Sequence, residues 1–138
     1  MIRTTLAALA LLTTPAIADE TWRHPAGTLI YEADMGHIAV LSFPTTAAPM
    51  PGGPADRAMV FFPGLGGNFD NRSTHDGYWV MEGDPVCTAI LTAPDGTASQ
   101  SWGRAQITFD RAAFPTGFTM TIGTCWQDPT FPIRADLP

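Results

Sequence analysis

Runs in which apolar residues recur at every second position dominate residues 19–138, and no apolar stripe there keeps helical spacing over a useful length. That regularity restricts the chain to folds built of strands. In residues 28–33, Leu29 and Tyr31 alternate with Ile30 and Glu32. Ala105, Ile107 and Phe109 alternate with Gln106, Thr108 and Asp110. Phe118, Met120 and Ile122 alternate with Thr119 and Thr121. Successive side chains of a strand point to opposite faces, so each run has one apolar face to bury. Residues 37–43, 77–82 and 86–93 read as further strands. Ala58 to Phe62, apolar throughout, fits a strand covered on both faces. Asp34-Met35-Gly36, Pro94-Asp95-Gly96 and Phe114-Pro115-Thr116-Gly117 supply the turns. With no alternation of strands and helices there is no basis for a parallel sheet. The expected fold is all-β, an antiparallel β-sandwich or small barrel of about seven short strands.

The first residues are of a different kind. Arg3 precedes the apolar run Leu6 to Leu12, and Ala16-Ile17-Ala18 gives the small-x-small pattern of a signal-peptidase site. Residues 1–18 are therefore expected to be a secretory signal, and 19–138 a single β-domain in the periplasm or outside the cell. No later segment is apolar over the length a membrane-spanning helix needs. Residues 44–57, PTTAAPMPGGPADR, hold four prolines and two glycines and read as a surface loop.

Charge and cysteine usage narrow the partners. The chain has no lysine. Once Arg3 is removed, six arginines face thirteen acids, a net charge of −7 (6 − 13). Such a surface is unsuited to nucleic acid and to anionic lipid, and suits a basic protein partner. In an exported chain the two cysteines, Cys87 and Cys125, are expected to form a disulfide. Cys125 falls on the outward register of its strand. A bulge at Gly123 would reset it; otherwise the bridge lies outside the core and pins an edge or a loop.

Residues 61–79, FFPGLGGNFDNRSTHDGYW, concentrate the side chains with chemistry. Phe62 to Gly67 resembles the HGLGG-type stretch of α/β-hydrolases, but Pro63 replaces the histidine and no G-x-S-x-G elbow exists in the chain. A phosphate cradle lacks its Lys-Ser/Thr pair and its helix, and no cofactor motif is present. Asn68, Asp70, Asn71, Ser73 and Asp76 place five oxygen donors within nine residues, a weak calcium candidate without EF-hand spacing. The same residue types also form self-satisfied Asx turns.

Aromatic faces with polar edges are what a saccharide or a protein partner stacks on. Trp22, Trp79, Trp102 and Trp126 provide such surface. The expected binding residues are Phe69, Arg72, His75, Tyr78, Trp79, Trp102 and Arg104, with the arginines able to stack or to grip a carboxylate. The sequence thus points to an exported domain that binds a protein or a cell-envelope saccharide through an aromatic and Gly-rich loop face, without catalysis. Two rival expectations are a small periplasmic hydrolase using His75 with Asp70 or Asp76, and a structural envelope protein with no small-molecule site.

Overall fold

The structure, a computed structural model, describes residues 20–50, 55–68 and 72–138. The expected leader, residues 1–18, lies outside them. Ten strands follow in order: β1 (Thr21–His24), β2 (Gly27–Met35), β3 (Ile38–Pro44), β4 (Arg57–Pro63), β5 (Thr74–Val80), β6 (Leu91–Thr92), β7 (Ala98–Ser99), β8 (Trp102–Phe109), β9 (Phe118–Ile122) and β10 (Phe131–Ala135). Eight of them form one antiparallel sheet in the order β1-β2-β3-β4-β5-β8-β9-β10. Apart from the β6–β7 hairpin, every strand therefore pairs with its neighbour in the chain.

Of the two all-β architectures expected, this is the barrel. Its ends meet where the Arg23 N–H donates to the Asp136 carbonyl (2.7 Å) and the Asp136 N–H donates back (3.0 Å). Only this bridge joins the first and last strands among the described residues, so the barrel is nearly closed. The bridge covers part of each edge that would otherwise be free to template aggregation.

Alternation divides the side chains between two cores. Ala39, Leu41 and Phe43 of β3, Val60 and Phe62 of β4, Trp79 of β5, Ile107 and Phe109 of β8 and Met120 of β9 fill the interior, with Trp22 and Tyr31. Their neighbours Val40, Phe61, Val80 and Trp102 point the other way and form a second cluster on the outer face. That cluster explains the uninterrupted apolar run at 58–62: β4 is buried on both sides. Its cover is the excursion 81–101 between β5 and β8, which carries Cys87 and Ala93 onto the outer cluster.

This excursion corrects the expectation of a strand over 86–93. Only Leu91–Thr92 pairs there, with Ala98–Ser99, and the segment otherwise caps the barrel wall as a loop. Three strands, β1, β7 and β10, were not legible as alternating runs. Residues 45–50 and 55–56 of the Pro/Gly-rich segment do not simply float on the surface. Thr45–Ala47 forms a short 3-10 turn and Ala47 is buried, with Met50 and Ala55 packed on the interior cluster.

The disulfide joins Cys87 to Cys125 (Cα–Cα 5.6 Å). The parity problem at Cys125 resolves because β9 stops at Ile122. Cys125 takes a left-handed backbone (φ 55°), and its N–H donates to the Trp102 carbonyl at 2.9 Å. The bridge lies outside the barrel interior and staples the excursion to the β9–β10 loop.

Candidate functional site

The outer faces of β5 and β8 carry a graded row of side chains. Their register opposes Val80 to Trp102, Tyr78 to Arg104, Asp76 to Gln106 and Thr74 to Thr108. Directly opposed side chains on one face of an antiparallel pair sit close enough to interact. The Gln106 amide donates to Asp76 Oδ1 (2.9 Å), and the Thr74 and Thr108 hydroxyls lie 3.2 Å apart. Arg104 Nη1 donates to Asp128 Oδ1 at 2.9 Å.

At the apolar end of this row stand three aromatics. Trp102 is buried, and its indole N–H donates to the Ala89 carbonyl of the excursion (2.9 Å). Trp126 meets it edge to face, with ring centres 4.8 Å apart and planes at 77°, and meets Tyr78 at 6.4 Å and 90°. Tyr78 and Trp102 complete the triangle at 6.3 Å. Edge-to-face contacts of this kind add to area burial and fix ring orientation. Yet Trp126 remains 64% exposed. Its position follows from Cys125: the disulfide and the left-handed backbone lift the next residue onto the wall. Sequence reading counted Trp126 among the tryptophans but did not place it in the site. The available signal was its place directly after a disulfide cysteine.

The seven residues expected to bind do not share one face. Tyr78, Trp102 and Arg104 converge on the outer wall. Trp79 points into the barrel, where its indole N–H donates to the Gly123 carbonyl at 2.7 Å. Arg72 is only 1% exposed and forms a two-pronged pair with Glu20 (2.9 and 2.6 Å), between the rings of Phe109 and Phe114 at 5.2 and 5.3 Å. Its planar fork matches a carboxylate, and the carboxylate it grips is the protein's own. Phe69 lies outside the described residues.

His75 pairs with Ile107 and shares its inward side, whereas Asp76 faces out and is engaged by Gln106. The two adjacent side chains thus leave opposite faces of β5. His75 Nε2 is sealed from solvent and has no hydrogen-bond partner among the described residues. Of the calcium candidates, Asn68 donates to the Gly64 carbonyl (2.7 Å), closing its own turn, while Asp70 and Asn71 lie outside the described residues. Among the described residues no three His, Cys, Asp or Glu side chains are grouped to hold a metal.

Two titrating groups report on the surroundings. Burial, reinforced by a hydrogen bond to the Asp34 carboxylate, pushes the Tyr31 phenol far above its ordinary range. The Arg134 guanidinium holds the Asp110 carboxyl below its ordinary value. These features define a nearly closed meander barrel with a filled interior and an aromatic outer wall under a tethered flap. Compared with known protein families, curated proteins and solved structures, the chain finds no match in any of the three.

Proposed function

We propose that this is an exported β-barrel domain, periplasmic or secreted, that binds a protein partner or a cell-envelope saccharide without breaking bonds. Its binding surface is the outer wall of Tyr78, Trp102, Arg104 and Trp126. The observation that carries this reading is Trp126: a large ring, largely exposed, yet held by two perpendicular aromatic neighbours and a disulfide at the preceding residue. A rigid exposed aromatic loses little conformational freedom on binding, which is why such residues dominate recognition surfaces. The Arg104–Asp128 and Gln106–Asp76 pairs beside it offer polar edges to a ligand stacked on the ring. Export is supported by the leader-like first residues and by the disulfide.

The hydrolase reading gains no support from β5, where His75 and Asp76 diverge. The test uses the mature, disulfide-bonded protein and its Trp126→Ala variant. Sedimentation with purified peptidoglycan and cross-linking in an envelope extract separate the saccharide from the protein class. The proposal expects one of the two to succeed with the wild type and to weaken at least tenfold in the variant, about 1.4 kcal/mol. Equal binding by the two proteins refutes the surface, and no binding in either assay favours a structural envelope role.

A further inference from the structure

Strands β4 and β5 separate where their ladder ends. The last registered pair at that end is Met59 with Val80. Beyond it, Arg57 stays on β3, opposite Pro44, while the Met81 N–H turns to the Ser101 carbonyl at 3.1 Å. Arg57 on the β4 side and Glu82, in the bend just past the end of β5, both line the opening that this leaves. There they flank a cleft of about 250 Å3 walled by Met59, Val80, Met81 and Thr97. Among the described residues no salt bridge joins the two charges across it.

Arg57 is held in place from behind. Its Nε and Nη2 donate to Ser42 Oγ at 3.0 and 2.8 Å, and Nη2 also donates to the Thr28 carbonyl at 2.7 Å. Ser42 Oγ donates in turn to Glu32 Oε1 at 2.7 Å. Nη1 makes no hydrogen bond among the described residues, nor does the Glu82 carboxylate accept one. A fixed guanidinium with a free donor is preorganised for a carboxylate. Glu32 already offsets part of its charge, so a bare anion gains little in this setting. A ligand that also carries an ammonium gains a second contact, on Glu82, that a bare anion lacks.

Size and wall chemistry complete the description. An apolar cavity of about 150 Å3 holds a benzene ring, so this cleft has room for a body the size of a leucine or phenylalanine. We infer that the cleft between Arg57 and Glu82 binds a free apolar α-amino acid, its carboxylate on Arg57 and its ammonium on Glu82. The side chain lies against Met59 and Val80. The site shares no residue with the Tyr78–Trp102–Trp126 wall and stands or falls separately.

The test is a backbone-amide NMR titration of the disulfide-bonded domain with leucine, N-acetylleucine and leucinamide. Saturable shifts confined to the cleft walls, residues 55–59, 80–82 and Thr97, are expected with millimolar leucine. Blocking either ligand charge should weaken binding about tenfold or more. Glu82→Gln, at an exposed position, should erase the preference for leucine over N-acetylleucine while keeping that over leucinamide. Arg57→Gln should abolish binding; because Arg57 ties three strands together, the Glu82 variant decides the matter if that protein fails to fold. Equal binding of all three ligands, or no saturable shift with leucine, overturns the inference.

Discussion

Trp126, Arg72 and Tyr31 show how far a residue's neighbours decide its role. Arg72 is attractive in sequence as a free guanidinium in a polar loop. In the fold it is enclosed, and Glu20, just ahead of β1, reaches 2.6 Å from it. Two charges so enclosed depend on each other, and removing one partner of such a pair costs about 3 to 5 kcal/mol. Glu20→Gln should therefore lower stability in urea unfolding by about 3 kcal/mol, without touching the Trp126 wall. Tyr31 leads to a pH prediction. Its folded value is raised, so the stability it contributes is complete below the unfolded value of about 10 and is lost as pH rises above that. Tyr31→Phe should cost about 1 to 2 kcal/mol at neutral pH through the lost Asp34 hydrogen bond. It should also flatten the fall in stability above about pH 10. An alkaline limb unchanged in the variant would show that another group is responsible.

At the scale of elements, what was legible depended on whether a segment's neighbours are set by its own pattern. β2, β3, β4, β8 and β9 bury one or both faces along their length, so their alternation or continuous apolarity is written plainly. β1 and β10 are short, and β10 contains Pro132, which cannot donate to a ladder; each is set by pairing with its chain neighbour, β1 with β2 and β10 with β9. The 86–93 segment misled because Val86, Ala89 and Leu91 are apolar for a different reason: they pack over the outer cluster as a flap. Trp79 was counted among the binding residues because no short-range signal reveals the interior space it fills. That space comes from Gly103 directly opposite, where a Cβ would overlap the Gly123 carbonyl and the Trp79 indole. Gly103→Ala should therefore destabilise by about 3 kcal/mol through overpacking, measured by thermal unfolding. The flap's tether makes a comparable contribution. For a sequence separation of 38, the chain-entropy relation gives about 4 kcal/mol. A Cys87→Ala/Cys125→Ala double variant should lose up to about that much, and Trp126 should lose its fixed orientation. Near-UV circular dichroism reads the second effect.

At the scale of the whole molecule, the barrel interior is filled by its own side chains, with Trp22, Trp79, Phe62 and Phe118 fully buried within it. The proposed binding surface is therefore the outer wall and not a lumen. The choice between sandwich and barrel was not legible in sequence because both need the same alternation; the nearest-neighbour strand order and the Arg23–Asp136 bridge decide it. Tyr78, Arg104 and Trp102 were expected on one surface, but the β5–β8 register that brings them together across the whole excursion was not legible. Hydroxyl-radical footprinting of the tryptophans, with and without an envelope fraction, tests the binding wall most directly. Trp126 should oxidise readily in the free protein and be protected when the fraction is present, with Trp22, Trp79 and Trp102 unreactive in both states. Undiminished oxidation of Trp126 in the presence of the fraction would contradict the account.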